Sequence, residues 1–558
     1  LAALKCFDRN EIESGWRLAC QTRLDQDAVI YIPQTSIFGG RHQIQTASDS
    51  ETGRTVDARL RIAPLEMTPP TMQDDMSDMM RLERALNVES RNNMALTASF
   101  RVLRGLGRKL RDANFQGVAV LHGNRLIDFT TSEADAPIYA LAFDIGTTTL
   151  VGALLNTQTG EEIALASAMN PQTAYGDDVL SRIAHAGKGD ASLEELRSCI
   201  LEAVQQMIRE VCGQVDVLPA QIGTAVFTGN TTMQHLLCGF DPAALGMVPF
   251  VPLYRRGIAM DSDTFGLALH PEALVYVFPV IGGFVGGDTV AGLLACDMRE
   301  LEGPVVMVDI GTNGEIVLLH NGKLCAASTA AGPAFEGARI TCGMRAASGA
   351  IERVKAEADL LFSVIGGVEP VGLCGSGLID LCGELLKIGA LRQDGRLLVG
   401  EELSDAVPEK IRQRMRLNEN GEPECLLHEA HGKQVILTQR DVRELQLGAG
   451  AIRAGIQILL KQAGIAATDL KQVLIAGGFG SFIRRDNAQR IGLIPPEVHH
   501  EKVRFTGNIA FSGAKWVAVS QQAQENAETL ALAVAHVELN QDPDFAMEFA
   551  MAMQFPDR

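Results

Sequence analysis

Two stretches of the chain carry an aspartate just before a glycine–threonine turn. Residues 141–155 read LAFDIGTTTLVGALL, and residues 305–319 read VVMVDIGTNGEIVLL. Each pattern predicts a hairpin, because two apolar runs are joined by a short turn that contains glycine. An acidic residue before such a turn, here Asp144 and Asp309, can hold Mg²⁺ through water, as magnesium prefers. The acidic residue and the glycine–threonine turn together therefore predict a site for a magnesium-bound polyphosphate, with both aspartates in catalytic positions.

The turns also offer hydrogen-bond donors to phosphate oxygens. Gly146 and Gly311 let a ligand approach the backbone closely, and successive turn N–H groups form anion-binding concavities. The alternative is two unrelated hairpins in which DIGT is only a turn. The repetition, about one domain's length apart, favours two related lobes. The neighbouring side chains that could contact phosphate are Thr147, Thr148, Thr312 and Asn313.

A third glycine-rich segment has the features of a nucleoside site. Residues 473–480 read VLIAGGFG. The short apolar run predicts a buried strand, and the glycines at its end would let a nucleobase or ribose lie flat against the backbone. The candidate contacts are Gly477, Gly478 and Gly480.

Two other segments place polar residues at predicted helix starts. CGSGLID at 374–380 makes Gly375 and Ser376 candidate nucleotide contacts, with Ser376 either at the ribose or at the helix cap. GGDTVAG at 286–292 predicts an apolar helix that links the lobes, with Asp288 in the cleft as a third candidate catalytic residue. The alternative role for Asp288 is the N-cap of that helix.

Composition bounds the class of protein. The chain has 558 residues, of which 46% are hydrophobic and 21% charged, and its net charge is −19. These values predict a globular protein of several domains, and the negative charge argues against a nucleic-acid partner or an anionic membrane surface. No apolar run reaches the roughly 18 residues of a membrane helix. The eleven cysteines are dispersed without a CxxC pair, which predicts a reducing, cytoplasmic compartment.

The pattern along the chain predicts five parts. Residues 1–35 are too short for a domain of their own, and residues 36–60 are polar and predict a linker. Residues 61–136 alternate like a small α/β domain, with a hairpin over Gly123 and Asn124. Residues 137–300 and 301–558 form the two lobes, each beginning with a DIGT hairpin.

Three segments within the lobes carry local predictions. Asp178 is expected to cap an amphipathic helix. AGPAFEGARITCGM at 331–344 predicts a turn followed by a helix, with Glu336 either in the cleft or in the helix's first turn. A long helix from residue 440 places Arg440 or Arg443 beside a base or on a solvated face, and both alternatives stay open.

Seven motifs follow one another in order: RLACQ at 17–21, DIGTTT at 144–149, TGNTTM at 228–233, GGDTVAG at 286–292, DIGTNGE at 309–315, CGSGLID at 374–380 and AGGFGSF at 476–482. Together they resemble the reductive activators of corrinoid proteins. Members of that family combine a ferredoxin domain, a linker, a middle domain and an ATP-binding module of the acetate kinase, sugar kinase, Hsp70 and actin superfamily. The resemblance covers the chain from residue 15 onward.

The resemblance implies both a fold and an activity. The fold is α/β: a two-lobed actin-like or Hsp70-like ATPase, preceded by a small α/β middle domain and the remnant of a [2Fe–2S] ferredoxin domain. The activity is the ATP-dependent return of cob(II)alamin to cob(I)alamin in a corrinoid protein. ATP and Mg²⁺ are the implied cofactors. The implied partners are a corrinoid protein or corrinoid-dependent methyltransferase and an upstream electron donor, and a homodimer stays open.

The iron–sulfur assignment depends on Cys20. In the RLACQ motif this cysteine matches the fourth ligand of a plant-type [2Fe–2S] cluster, which needs a C-x₄-C-x₂-C…C arrangement. The other three ligands would precede Leu1, so the cluster is expected in the full-length protein and not in this chain. The alternative is that Cys20 is an ordinary buried cysteine before a strand.

Three other functions share parts of the pattern. A metabolite kinase would use Asp288 as the base beside its substrate. An activator of the 2-hydroxyacyl-CoA dehydratase type would hold a bridging [4Fe–4S] cluster and would need cysteines at an exposed site in the ATP module, a requirement that Cys342 and Cys374 do not match. A non-catalytic Hsp70-like binding module would need a peptide-binding β-domain, and the C-terminal sequence does not show one.

Overall fold

The computed structural model describes residues 56–86, 95–477 and 483–557. Residues 1–35, most of the predicted linker, Gly478 and Gly480 therefore lie outside the described residues. No helix in the described ranges is both long and apolar enough to cross a membrane.

Within residues 56–86 and 95–135, the small domain shows a four-stranded sheet and two helices. The strand order is β1-β3-β4-β2, and the predicted turn at Gly123 and Asn124 joins β3 to β4. Charged pairs fasten this domain to the first lobe, since Arg125 contacts both Asp261 and Glu272. The elements are β1 (Leu60–Glu66), α1 (Asp78–Ala85), β2 (Thr97–Ala98), α2 (Phe100–Asp112), β3 (Gln116–His122) and β4 (Arg125–Thr130).

The first lobe contains a six-stranded sheet with helices packed against it. The first DIGT segment forms the antiparallel pair β5–β6, and β8 lies parallel to β5 on its other side. The sheet order is β7-β6-β5-β8-β10-β9. The elements are β5 (Tyr139–Ile145), β6 (Thr149–Asn156), β7 (Glu162–Met169), α3 (Val179–Ala186), α4 (Asp190–Val215), β8 (Ile222–Gly229), α5 (Thr231–Cys238), β9 (Ile258–Asp261), α6 (Ser262–Phe265), β10 (Leu274–Val277) and α7 (Gly287–Ala295).

The second lobe repeats this arrangement and adds two small sheets. Its main sheet has the order β21-β20-β11-β12-β13-β22, and the small sheets have the orders β15-β14-β16 and β17-β18-β19. The strands are β11 (Val305–Ile310), β12 (Gly314–His320), β13 (Lys323–Thr329), β14 (Ala350–Ala356), β15 (Leu360–Val364), β16 (Gly372–Leu373), β17 (Met415–Leu417), β18 (Pro423–Ala430), β19 (Lys433–Thr438), β20 (Gln472–Ala476), β21 (Val503–Gly507) and β22 (Ala535–His536). The helices are α8 (Gly375–Ile388), α9 (Glu409–Arg414), α10 (Gln439–Ala463), α11 (Arg485–Arg490), α12 (Ile509–Val519), α13 (Gln521–Ala533) and α14 (Phe545–Ala552).

The two main sheets have equivalent topologies. In each, an antiparallel hairpin and a third strand occupy one side, and two later strands extend the sheet in parallel on the other side. By this equivalence β11 corresponds to β5, β20 to β8 and β21 to β10. The helices that follow β10 and β21, α7 and α12, therefore occupy equivalent positions.

Helices α7 and α12 pack directly against each other between the lobes. A Cβ atom added at Gly513 would lie 2.1 Å from the carbonyl oxygen of Ala291, so the two helix backbones touch. One hydrophobic cluster includes residues of both main sheets together with α7, α12 and α13, among them Ala142, Val226 and Met307. The lobes consequently share a core along this helix pair.

One predicted element is wrong. No helix follows Glu336: a 3₁₀ turn over Pro333–Glu336 ends at Gly337, and the chain then continues as turns. Gly337 and Arg339 both have positive φ, which interrupts a right-handed helix. Gly343 packs so tightly on Gly337 that a Cβ atom there would lie 2.0 Å from its carbonyl oxygen. The long helix after residue 438 and the cap at Asp178, which accepts from the Ser181 N–H at 2.8 Å, are confirmed.

Candidate active site

The first hairpin loop, residues 146–148, is held by hydrogen bonds to its carbonyl oxygens. The Asn170 side chain donates to the carbonyl oxygen of Gly146 at 2.8 Å, and the Asn170 N–H donates to that of Thr148 at 2.9 Å. Arg182 donates to the carbonyl oxygen of Thr147 at 2.5 Å. Carbonyl oxygens would repel an anion, so their engagement by the scaffold suits a loop that binds phosphate through N–H groups.

Arg182 is the buried centre of this scaffold. Its side chain is fully buried and also donates to the carbonyl oxygen of Gly176 at 3.0 Å and to Gln172 Oε1 at 3.2 Å. Burial lowers the pKa of this guanidinium to about 10, which leaves it charged at neutral pH. Arg182 is a site residue that was not predicted from the sequence, where its only signal is an arginine on the apolar face of the predicted helix.

The second hairpin loop, residues 311–313, contacts the segment that was predicted to be helical. The Thr312 hydroxyl donates to Glu336 Oε1 at 2.5 Å. Of the two alternatives for Glu336, the structure therefore favours a position at the loop. Gly311 closes the turn by donating its N–H to the carbonyl oxygen of Asn313 at 3.0 Å.

Three aspartates converge between the lobes. Asp144 and Asp309 end the first strands of the two hairpins, and Asp288 lies in the first turn of α7. The cap of α7 is Gly286, so the interpretation of Asp288 as an N-cap is wrong. Each aspartate keeps part of its surface accessible, while the surrounding protein withdraws its carboxyl from water.

The electrostatics of the three carboxyls show that they interact. Burial, and then the charge of Asp288, raise the pKa of Asp144 to about 7. Burial, and then the charges of Asp288 and Asp144, raise the pKa of Asp309 to about 8. Burial raises the pKa of Asp288 to about 6. The charged forms of these carboxyls are thus disfavoured in the ligand-free protein, and a bound cation would stabilise them.

A fourth carboxyl, Glu315, belongs to the same cluster. It pairs with Asp309 across the second hairpin and is 7% exposed. Burial, together with the charges of Asp288 and Asp309, raises its pKa well above the ordinary value. Glu315 was not predicted from the sequence, although a lone acid in the apolar strand GEIVLL is a usable signal.

Asn508 is a third residue that sequence reasoning missed. Its Nδ2 donates to Asp144 Oδ2 at 3.2 Å, and its Oδ1 accepts the N–H of Phe511 at 2.9 Å as the cap of α12. The hydrogen bond from Asn508 acts against the other influences and lowers the pKa of Asp144. A repeated Phe-Thr-Gly-Asn sequence at 227–230 and 505–508 could have identified it.

The other predicted contacts are distributed around this centre. Gly477, with φ of +101°, is so close to the second hairpin that an added Cβ atom would lie 3.0 Å from Asp309 Oδ1. Gly375 packs on the carbonyl oxygen of Phe335, and Ser376 is buried and donates to the carbonyl oxygen of Glu352 at 3.0 Å. Both therefore have packing roles in the ligand-free protein.

Two arginines differ in their availability to a ligand. Arg443, considered for a stacking role, donates to the carbonyl oxygen of Asp394 at 2.8 Å and to Gln446 at 2.6 Å. Arg345, which was not considered, has a buried Nη1 that finds no partner among the described residues. Burial lowers the pKa of Arg345, and the nearby charges of Glu336 and Asp177 oppose that change. Arg345 is thus a candidate contact for an anion beside the second loop.

The acidic cluster has the donor chemistry of a candidate site for a hydrated magnesium ion. Within the described ranges, no group of three or more His, Cys, Asp and Glu side chains is arranged to hold a metal ion. Mg²⁺ usually keeps several waters and takes one or two carboxylates together with substrate phosphates. Asp144 and Asp309, one on each side of the cleft, match that requirement.

Comparison with known proteins gives the family. The chain matches the RACo linker region over residues 49–135, the RACo middle region over 139–301, and the C-terminal domain of RACo, the ASKHA domain, over 303–558. It is 38% identical over 444 residues to the corrinoid activation enzyme RamQ of Eubacterium limosum, covering 78% of this chain and 74% of that protein. The chain belongs to the RACo family of corrinoid reductive activators. The RACo linker region includes the small α/β domain, and the RACo middle region corresponds to the first lobe.

Two further similarities agree with membership of the RACo family. The [Co(II) methylated amine-specific corrinoid protein] reductase of Methanosarcina barkeri is 25% identical over 410 residues, covering 68% of this chain and 69% of that protein. The solved structure of a reductive activator for corrinoid, iron-sulfur protein has a TM-score of 0.82 and 31% identity, covering 99% of this chain and 89% of that chain. The actin-like, two-lobed fold expected from the motifs is confirmed.

Proposed function

We propose that this protein is an ATP-dependent reductive activator that returns the cob(II)alamin of a corrinoid protein to cob(I)alamin. The observation that carries the proposal is the convergence of Asp144, Asp288 and Asp309 between two phosphate-type hairpins in a chain of the RACo family. The same geometry explains why the hairpin motif occurs twice, since each lobe supplies one loop to a shared cleft.

The nucleotide phosphates would lie between the two hairpin loops. Turn N–H groups of residues 146–148 and 311–313 would bind phosphate oxygens, and Arg345 would supply a positive charge in an otherwise acidic site. Asp144 and Asp309 would hold Mg²⁺ through its water ligands. When bound, the ion neutralises phosphate charge as the terminal phosphoryl group is transferred. The glycines at 477, 478 and 480 would border the nucleoside.

Asp288 is the residue best placed to orient the attacking water. It lies at the start of α7, and its carboxyl is near both hairpin aspartates. Burial raises its pKa to about 6, which is close to the range where a carboxylate can accept a proton at neutral pH. Thr289 fixes its orientation by donating its N–H to Asp288 Oδ1 at 2.7 Å.

Electron donation belongs to the part of the protein that precedes the small domain. When bound, a plant-type [2Fe–2S] cluster supplies single electrons at a potential near about −400 mV. Cys20 is the proposed ligand in this chain and lies outside the described residues. Reduction to cob(I) is expected to be uphill, so ATP must be coupled to it through a difference in affinity between two states of the complex. Two lobes that close on a nucleotide provide two such states.

The proposal is tested first at the nucleotide. Asp144→Ala and Asp309→Ala are each expected to weaken Mg-ATP binding or abolish hydrolysis, measured by calorimetry and phosphate release. Asp128→Ala is the matched control, because Asp128 contacts Lys109 and His270 at the interface between the small domain and the first lobe. Normal ATPase activity in both cleft variants would refute the assignment.

A second measurement separates activation from metabolite phosphorylation. ATP affinity is measured with and without a cob(II)alamin-bearing protein, because a partner whose affinity depends on ATP must change ATP affinity by the same factor. If corrinoid proteins have no effect while a small metabolite is phosphorylated at about 1 s⁻¹ or faster, the metabolite-kinase alternative is correct. For the dehydratase-type alternative, Cys374 is buried and donates to the carbonyl oxygen of Ile351 at 3.3 Å, a packing role that does not favour a cluster.

A further inference from the structure

The sequence Phe-Thr-Gly-Asn occurs at 227–230 and at 505–508, each time between a strand and a helix. Asn230 caps α5 and Asn508 caps α12, each by accepting the N–H three residues on. The amide nitrogen of each asparagine remains available for a second bond, and both bonds go to the first hairpin. Asn230 Nδ2 donates to Thr147 Oγ1 at 2.9 Å, and Asn508 Nδ2 donates to Asp144 Oδ2 at 3.2 Å.

The two helices that these asparagines cap differ in the parts of the protein that they contact. Helix α5 ends at Cys238 and remains within the first lobe. Helix α12 packs against β5, β8 and α7 and then passes directly into α13 through Ser520, which caps the second helix. Its eleven residues span roughly 16 Å at about 1.5 Å per residue.

The C-terminal end of α12 contacts the segment that leads into the first strand of the small domain. The Asp57 N–H donates to the carbonyl oxygen of Val519 at 3.2 Å, and the Gln521 N–H donates to the carbonyl oxygen of Asp57 at 3.2 Å. The Gln522 N–H also donates to the Asp57 side chain at 3.2 Å. We call this contact between residues 56–60 and 519–525 the α12–α13 joint. An ion pair between Arg59 and Glu525 at 3.2 Å is part of it.

We propose that α12 couples the nucleotide cleft to the small domain, with Asn508 as the positioning residue that connects the helix to the first hairpin. Binding of Mg-ATP would move Asp144 or break its hydrogen bond with Asn508. The Asn508 side chain, and with it the start of α12, would then shift. Because Gly513 is in tight contact with Ala291, any sliding or rotation of α12 against α7 moves α12 as one rigid helix. The displacement then reaches the α12–α13 joint, to which the small domain is attached.

The inference rests on the proposed function only for the binding of Mg-ATP between the hairpins. It adds the direction in which binding is communicated, namely toward the small domain. The physical requirement is that the joint differs in free energy between the free and nucleotide-bound protein. Hydrogen exchange of the backbone N–H groups at the joint measures that difference directly.

The test compares two matched variants, Asn508→Ser and Asn230→Ser. Serine caps a helix about as well as asparagine, but its shorter side chain cannot reach the hairpin. Saturating Mg-ATP is expected to change exchange at residues 56–60 and 519–525 by about fivefold or more in the wild-type chain, the lower end of ordinary coupling between sites. The response is expected to persist in Asn230→Ser and to fall below about twofold in Asn508→Ser.

Calorimetry gives the Kd of each variant for Mg-ATP, and exchange is measured at a nucleotide concentration above that Kd. Weaker binding therefore cannot be mistaken for lost coupling. If Asn508→Ser does not fold, Asn508→Thr retains a capping hydroxyl that is likewise too short to reach the hairpin, and it is expected to give the same loss. An unchanged response in the Asn508 variants, or no response at the joint in wild-type protein with nucleotide bound, overturns the inference. Failure of wild-type protein to bind Mg-ATP overturns the proposed function as well, and the calorimetry reports that result separately.

Discussion

Replacing Asp309 by asparagine is expected to make the ligand-free protein less sensitive to alkaline pH. Burial and the charges of Asp288 and Asp144 raise the pKa of Asp309 to about 8 in the folded protein, from an ordinary value of 3.8. Between pH 6 and pH 8 the unfolded chain has already lost this proton, whereas the folded protein still holds most of it. The folded state binds the extra proton, so its stability falls as pH rises through this window.

The magnitude follows from that one proton. Each pH unit costs about 1.4 kcal/mol while only the folded state retains the proton. Because the pKa of Asp309 lies at about 8, the proton is held through most of the interval, and the loss between pH 6 and pH 8 is about 2 kcal/mol. The penalty is absent below about pH 4, where both states are protonated, and complete above about pH 8.

The assay is thermal unfolding of wild-type and Asp309→Asn protein in chelator at pH 6 and pH 8. For a unit the size of one lobe, 1 kcal/mol shifts the melting temperature by about 2–4 °C. The wild-type melting temperature is therefore expected to fall about 4–8 °C further than that of the variant. The Asp309→Asn variant should also lose ATP hydrolysis, so the substitution reduces function while relieving an electrostatic penalty.

Asp441→Asn is the matched control for a buried aspartate. Asp441 is fully buried outside the acidic cluster and accepts hydrogen bonds from the N–H and hydroxyl groups of Thr341 and from the Thr438 N–H. The amide nitrogen of asparagine cannot accept these bonds, so this variant is expected to be less stable at both pH values by about 1–3 kcal/mol. Equal pH dependence in wild-type and Asp309→Asn protein would refute the argument that burial and the neighbouring carboxyls raise the pKa of Asp309.

Three further predictions concern single residues. Arg182→Met cannot hold the carbonyl oxygens of the first loop and is expected to weaken Mg-ATP binding about tenfold or more; calorimetry measures this, and an unchanged Kd would contradict the scaffold role. Arg345→Met is expected to weaken Mg-ATP binding about tenfold without lowering the ligand-free melting temperature, because its Nη1 has no partner to lose among the described residues; a lower melting temperature with unchanged affinity would make Arg345 structural. Gly513→Ala is expected to lower the free energy of unfolding by about 1–3 kcal/mol through overpacking against Ala291. Gly213→Ala, with open space at its Cβ position, should be neutral or slightly stabilising in thermal unfolding. Equal effects of the two substitutions would show that the helix contact is not tight.

The sequence predicted the elements whose signals are local. The hairpins at Asp144 and Asp309 were recognisable because turn chemistry and apolar strands follow one another directly, and the repetition predicted two lobes with one topology. The order of the seven motifs then indicated the family. By contrast, the segment after Glu336 looked helical, and the positive φ of Gly337 and Arg339 together with the contact between Gly337 and Gly343 explains why it is not.

The site was predicted where its residues lie in motifs and missed where they arrive by folding. Glu315 stands six residues after Asp309, yet its membership of the cluster depends on cross-strand pairing. Arg182 and Asn508 reach the first hairpin from other elements, so their roles depend on contacts between residues far apart in the chain. The sequence marks these residues only indirectly, by the place of Arg182 on an apolar helix face and by the repeated Phe-Thr-Gly-Asn before Asn508.

The order in which the chain visits the two lobes has a consequence for synthesis. The first lobe's sheet and α7 end by residue 295, but α12, which covers part of the same apolar core, begins only at residue 509. At about 5–20 residues per second, the ribosome needs roughly ten to forty seconds to make the intervening chain. During that time the face of the first sheet that includes Ala142 and Val226 lacks its covering helix. The nascent protein is therefore expected to depend on chaperones until α12 has left the ribosome, and cutting the gene between the lobes should not give two separately soluble halves.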